Sequence, residues 1–322
     1  MEVNRITMEN KGGYAFVVNV LDVQVDLPIS ITPTLRLEAA TEQQIAEIKR
    51  LLVLGGLALE FYYEHEWTML EASEIKTRHE ARELPRNRWR YYVVSWAGLP
   101  EELATLRKGA NLVPPGILCY SEVYTSEEFG KGQQMGRKFE SVSVPESYFS
   151  IPIKALPVDT EIVEEWRGAL TAFSKLDKAI HPGISRAVDT LEHFNRLPLS
   201  VELRVLGYFM VLEMLLTHNP NDKELGDSLS HQICSKVALL QSRLRQPLDY
   251  WIFGKGVDPN KIWKRLYGFR SAIAHGGSPD FKNELKVLKT PQVATEFLKD
   301  ATALILRHAL DEPVLFDSLK PV

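Results

Sequence analysis

An arginine and a histidine five residues apart, Arg270 and His275, stand in the run LYGFRSAIAHGG, residues 266–277. An imidazole titrates at roughly pH 6.5 when unperturbed, so it can move protons near neutrality, while a guanidinium keeps its charge and grips anions bidentately. Such a pair supplies proton transfer and stabilisation of developing negative charge, and needs no metal or cofactor to do so. A third group belongs with them. The segment VLGYFMVLEMLL, residues 205–216, is apolar almost all round and its one charged residue is Glu213. A carboxylate there requires a cation or the edge of a cleft, because an unpaired buried charge costs several kcal/mol. Arg270 is the first candidate partner, and the pairing would fix the orientation of the guanidinium.

The element that carries the pair is legible. Asp258-Pro259 is a helix start, with Asp as N-cap and Pro at the first helical position, and Gly276 or Gly277 supplies a left-handed stop. The spacing predicts a helix over about 259–275. At about 100° per residue, Ile262, Leu266, Phe269 and Ile273 form one apolar stripe, and Trp263, Tyr267, Arg270 and Ala274 form a second beside it. The first stripe reads as core. The second, with Ser271 and Ala274 small enough for close approach, faces another helix or a partner chain. Arg270 and His275 lie about 140° apart on an ideal helix and flank that second face. The plainer reading of the pair is structural: an Arg270–Glu213 bridge fixing the bundle, and a histidine at a helix C-terminus, where a cation is favourable by about 0.3–1 kcal/mol.

The rest of the chain divides into two halves of different period. Leu21, Val23, Val25, Leu27, Ile29 and Ile31 alternate as in a half-buried strand, with Pro28 placing it at an edge or breaking it in two. Thr41–Gln44 is a capping box ahead of Ile45, Ile48 and Leu52, and Gly55-Gly56 closes a helix of about three turns. Strand-like runs follow at Leu57–Tyr63, Trp89–Trp96 and Ile117–Tyr124. Prolines 145, 152 and 157 mark a boundary near residue 155. Beyond it, helical patterns occupy about 160–179, 183–196, 200–218, 224–244, 259–275 and 291–310. The expected fold class is an α+β N-terminal domain over residues 1–155 followed by an all-α helical bundle over residues 156–322.

Arg270-Ser271-Ala272-Ile273-Ala274-His275 fits the R-x4-6-H motif of the HEPN superfamily, helical domains that include many metal-independent ribonucleases. VLEMLL with Glu213, then LSHQICSKVALL, then LYGFRSAIAHGG resemble, in order and spacing, the C-terminal HEPN domain of ApeA-like proteins, over roughly residues 160–310. The resemblance implies that Arg270 contacts the scissile phosphate and His275 is the general acid or base, with Glu213, Ser271 and Tyr267 in support. It implies a homodimer with motif helices side by side and a composite site. The substrate would be RNA, a tRNA or a single strand, whose own 2′-hydroxyl attacks to leave a 2′,3′-cyclic phosphate and a 5′-hydroxyl. It further implies bacterial antiphage defence by abortive infection, with the first domain sensing a phage-derived trigger, or a toxin role with an antitoxin partner. A non-catalytic interaction or RNA-binding module is the rival. Ser271 follows the arginine where many family nucleases carry Asn, Asp or His. Gly277 stands where toxins regulated by tyrosine modification carry Tyr.

Lys261, Lys264 and Arg265 precede the motif on its helix and Lys282, Lys286 and Lys289 follow it. They are candidate phosphate contacts, or simply a solvated face. Arg86, Arg88 and Arg90 interleave with Trp89, Tyr91 and Tyr92 in a composition suited to stacking and phosphate contact, or to an ordinary strand. The formal charge of −4 gives no global basic field. Cys119 and Cys234 suit free thiols in a reducing compartment. GKGQQMGRK, residues 130–138, lacks nucleotide-binding spacing and reads as a loop, and His65-Glu66 and His79-Glu80 lack a second histidine at metalloprotease spacing. No signal peptide or membrane span is visible, so a cytoplasmic location is expected.

Overall fold

A computed structural model describes residues 11–54, 60–72, 77–97, 101–114, 116–117, 119–126, 134–139, 155–196, 200–218 and 228–320. The chain forms two compact units, residues 1–111 with 115–168 and residues 112–114 with 169–322. The first contains an antiparallel sheet with helices and the second is helical. Among the described residues no helix is long and apolar enough to cross a membrane.

In the first unit the strands are β1 (Lys11–Val17), β2 (Leu21–Val23), β3 (Ile29–Ser30), β4 (Leu35–Ala39), β5 (His65–Ala72), β6 (Thr77–Glu83), β7 (Tyr92–Ala97), β8 (Cys119–Ser126), β9 (Gln134–Phe139) and β10 (Leu156–Val158). Six of them form one antiparallel sheet in the order β3-β4-β7-β1-β8-β9. The alternating run at 21–31 is broken in two before Pro28: β2 pairs in parallel with β10, and β3 takes the sheet edge, where no ladder bond is lost to proline. Helix α1 (Glu42–Leu54) starts on the expected capping box, with Thr41 N–H donating to Gln44 Oε1 at 2.9 Å and Gln44 N–H to Thr41 Oγ1 at 3.3 Å. Its Ile45, Ile48, Leu51 and Leu52 cluster with Phe16 and Val93 of the sheet and with Val18 just past β1. Gly55 and Gly56 lie outside the described residues.

Three expectations are corrected. Residues 60–63 belong to a short helix, α2 (Glu60–Glu64), and not to a strand; residues 57–59 lie outside the described residues. Tyr62 and Tyr63 are adjacent and both buried in this helical turn, and Tyr63 donates its hydroxyl to Val18 O at 2.6 Å. Strand β7 starts at Tyr92, after a 3₁₀ turn over Arg86–Arg88. Residues 134–138 of the expected loop are part of β9, which pairs with β8 at the sheet edge; residues 130–133 lie outside the described residues, as do Pro145 and Pro152. Two helices had no sequence forecast, α3 (Glu101–Ala110) in this unit and a short one over Pro313–Ser318 in the other.

Helix α4 (Thr160–Lys175) leads into the helical unit, made of α5 (Pro182–Arg196), α6 (Val201–Leu216), α7 (Leu229–Leu240), α8 (Pro259–Ala274), α9 (Pro291–Asp311) and α10 (Pro313–Ser318). Helix α6 is the centre: Val205, Phe209, Val211, Leu212, Leu215 and Leu216 are buried, and it packs against α5, α7, α8 and α9. Gly207 permits the α5 contact, since a Cβ there would sit 2.7 Å from the Phe194 ring. A helix apolar on every face has nowhere to put a charge except at its rim, and Glu213 is placed there, partly exposed.

Candidate active site

Helix α8 is fixed at both ends by its own sequence. Asp258 Oδ1 accepts the Asn260 N–H at 3.0 Å and Pro259 fills the first helical position. At the other end Gly276 adopts φ +70°, Gly276 N–H reaches Ile273 O at 3.0 Å and Gly277 N–H reaches Ala272 O at 2.8 Å. That bond pair is a Schellman stop, and Gly276 is the residue that makes it affordable because side-chain-bearing residues resist positive φ. His275 is the C-cap.

The two stripes have different fates. Ile262, Leu266 and Phe269 are buried, as expected of core, and Ile273 packs against them. The second stripe is buried at its start and opens toward its end. Trp263 is buried and donates its indole N–H to Tyr250 Oη at 2.9 Å. Tyr267 is half-buried, edge-on to Phe209 with ring centroids 5.7 Å apart. Arg270 is half-buried and Ala274 is exposed.

Arg270 and Glu213 meet as expected. Arg270 Nη2 lies 3.1 Å from Glu213 Oε1 and donates to Oε2 at 3.3 Å, and the two side chains retain 25% and 20% of their exposure. The guanidinium carbon stands 5.7 Å from the centre of the Tyr267 ring, within range of a cation–π contact. Burial pushes the Tyr267 phenol above its ordinary value; the Arg270 charge pulls it back and the Glu213 charge raises it further. The pair is not saturated. Among the described residues Arg270 Nε and Glu213 Oε1 are buried without an aligned hydrogen bond. The guanidinium is therefore oriented by one edge, with donor capacity left over.

His275 is elsewhere. It is exposed, and among the described residues its ring makes no hydrogen bond or ion pair. At about 100° per residue it falls with Lys261, Lys264, Gly268 and Ser271 on the outer face of α8, about 140° from Arg270. The structure thus brings Arg270, Glu213 and Tyr267 together and leaves His275 and half-buried Ser271 outside that cluster. Lys261, Lys264 and Arg265 are exposed and line a shallow depression with Asp258 and Asn260. Lys282 is exposed in the following turn, where its backbone N–H bonds Asp280 Oδ1 at 2.9 Å.

The arginine-rich run of the first unit is mostly consumed by its surroundings. Arg86 pairs with Glu42 and stacks 3.9 Å from the centre of the Trp89 ring. Arg90 is buried, donating to His65 O at 3.0 Å, and Tyr91 and Tyr92 are buried. Two residues of interest had no flag in the sequence. Phe209, which supports Tyr267, stands four residues before Glu213 on α6, a spacing that places both on adjacent turns. Trp251 is 69% exposed in a 3₁₀ turn, where no hydrophobic period signals which way a side chain points.

Comparison of the chain with protein-family models, curated proteins and solved structures finds no match.

Proposed function

We propose that the helical unit is a HEPN-type domain and that the protein is an endoribonuclease working without a metal, cutting tRNA or another host RNA in bacterial antiphage defence of the abortive-infection kind. One observation carries the reading: a guanidinium at the rim of the bundle, held on one side by Glu213 and over Tyr267, with Nε unbonded among the described residues. An oriented, partly dry cation is what stabilises charge developing on a phosphorus oxygen. The order of VLEMLL and LYGFRSAIAHGG along the chain adds the resemblance on which the assignment to that superfamily rests.

In the reaction the RNA 2′-hydroxyl attacks phosphorus. The O2′–P bond forms, the P–O5′ bond breaks, a base accepts the 2′-hydroxyl proton and an acid protonates the leaving O5′. His275 supplies one of these proton transfers and Arg270 the charge stabilisation. Because the two side chains diverge on α8, a composite site made by two copies suits them better than a site within one chain. The first unit is the sensor or specificity element in this reading.

A second reading draws on the same geometry. An Arg270 already paired with Glu213 and a His275 on the opposite flank are also what a non-catalytic HEPN interaction module would show, the bridge simply fixing α6 to α8. The two are separated by incubating end-labelled tRNA and a single-stranded RNA with the full chain in EDTA. Catalysis gives cyclic-phosphate ends, and His275→Ala lowers the rate by about 10²–10⁴-fold while leaving the fold intact. Arg270→Ala combined with Glu213→Gln removes both charges, spares the bundle an unpaired carboxylate and also abolishes cleavage. Cleavage that survives both changes shows that Arg270 and His275 do not carry the chemistry, and no cleavage by the parent dimer even with lysate of phage-infected cells added as the source of the trigger leaves the module.

A further inference from the structure

The stretch from Trp251 to His275 carries exposed features that the Arg270 cluster does not use. The turn Tyr250–Phe253 buries Phe253, packs Tyr250 and Ile252 against the core and turns Trp251 outward. The turn is anchored, because Tyr250 Oη receives the Trp263 indole N–H of α8 at 2.9 Å and the Tyr250 ring lies tilted against Phe297 with centroids 5.3 Å apart. The chain has six tryptophans, and Trp251 is the exposed one. A rigid turn therefore presents a bare indole to solvent one residue from its contact with α8.

Cations follow it. Lys255, Lys261, Lys264 and Arg265 are exposed and make no ion pair among the described residues, in a chain of net charge −4. Elsewhere in the same unit Arg243 pairs with Glu312, Arg245 and Arg307 with Asp311, and Arg270 with Glu213. Asp258 is the one carboxylate in the stretch 250–265 and its Oδ1 is occupied by the helix cap. Four cations that find no carboxylate, and a ring that finds no core on a turn tied through Tyr250 to the helix that carries three of them, share one chemistry: phosphates spaced along a chain whose bases are free to stack.

A third observation extends the surface. Gly268 sits in the middle of α8, exposed, with nothing within 4 Å of the position its Cβ would take. Packing does not require glycine there, and glycine is an unfavourable residue inside a helix. What it provides is a low point on the outer face between Lys264 and His275, a stretch of about 16 Å at the helical rise, over which a ligand backbone can lie close.

We infer that Trp251, Lys261, Lys264 and Arg265 form a binding surface for single-stranded RNA, the indole stacking on an unpaired base and the cations holding phosphates, so that the strand runs over Gly268 toward His275. That the strand is RNA rests on the nuclease reading above; the contacts themselves ask only for free bases and phosphates. Duplex is the poorer ligand because its bases are not available to the indole.

The test is fluorescence anisotropy of a labelled 12-nucleotide single-stranded RNA with the full chain, beside the DNA of the same sequence and a blunt RNA duplex. Trp251→Ala is expected to weaken the single strand about tenfold and Trp251→Phe to restore most of it. Lys264→Gln with Arg265→Gln is expected to lower the slope of log K against log salt by about 0.7 per cation removed. Lys299→Gln, a cation of α9 placed beside Glu296, serves as the control without effect. Equal affinity of parent and Trp251→Ala, an unchanged salt slope, or tighter binding of duplex than of single strand overturns the inference. Its failure is distinct from that of the nuclease reading: RNA held through Trp251 but never cut leaves the surface standing and removes the catalysis, whereas cleavage that needs His275 and ignores Trp251 does the reverse.

Discussion

Residues 86–92 and residues 250–265 interleave aromatic rings with cations in similar proportion, and the fold treats them in opposite ways. In the first stretch Arg86 reaches Glu42 and covers the Trp89 ring, Lys49 lies 4.9 Å over the same ring, and Arg90 is buried between Asp22 and Glu66 at 3.9 and 3.8 Å. Only Arg88 of its three arginines is both exposed and unpaired among the described residues. In the second stretch Trp251 is bare and every cation is unpaired among the described residues. Composition is thus a poor guide to whether an aromatic and basic run is free to bind. What decides is whether carboxylates and apolar neighbours from distant parts of the chain already occupy it.

The largest effect separates the arginines from the lysines. Arg90→Ala removes a buried guanidinium that bonds His65 O and faces two carboxylates, and should lower the urea unfolding free energy of the first unit by about 2–3 kcal/mol. Lys264→Ala removes an exposed, unpaired ammonium and should change stability by about 0.5 kcal/mol or less. Equal costs would break the comparison, since they would mean that Lys264 has a structural partner. Glu213→Ala falls between, about 1–2 kcal/mol, because it strips Arg270 of its partner in a half-buried position; Glu213→Gln, which keeps a hydrogen-bond acceptor, should recover part of that loss.

The tryptophans give the crossed pair. Trp89→Ala loses the Arg86 stack and the indole bond to Leu84 O at 3.1 Å, so unfolding should shift by about 1–2 kcal/mol with RNA affinity unchanged. Trp251→Ala should do the converse, weakening the single strand while leaving the melting temperature within a degree or two. A result in which both changes act on both readouts would show that the two stretches do not differ in the way their surroundings indicate.

How much of this was visible in the sequence follows from where each signal resides. Helix α8 was, because its start and stop are local chemistry: Asp258-Pro259 and Gly276 sit inside the element they define. The Glu213–Arg270 bridge was, because a lone charge on an apolar helix admits few solutions. Residues 60–63 were not, since a short apolar run has the same look in a strand and in a buried turn of helix, and the choice between them was made by contacts with Val18 and α1. The outward aim of Trp251 was not legible either. In the run YWIF all four residues are apolar, and only the packing of Tyr250 against Phe297 and Trp263 tells which of them is left outside.

The smallest prediction concerns Gly268, and it tests whether the outer face of α8 is shaped for a ligand or merely unoccupied. In an exposed helix interior, replacing glycine by alanine removes a backbone entropy cost and should raise stability by about 0.5–1 kcal/mol, provided the added methyl meets nothing. The open space around the Cβ position satisfies that condition. Thermal unfolding of Gly268→Ala should therefore shift upward, while Gly116→Ala, whose Cβ would lie 2.6 Å from Asn111 Oδ1 at φ +69°, should shift downward. If a strand crosses α8 at residue 268, the stabilised variant also binds single-stranded RNA more weakly, and a leucine there weakens it further. A gain in stability with no change in affinity up to leucine would mean that the RNA does not pass over this turn, and the surface would then end at Arg265.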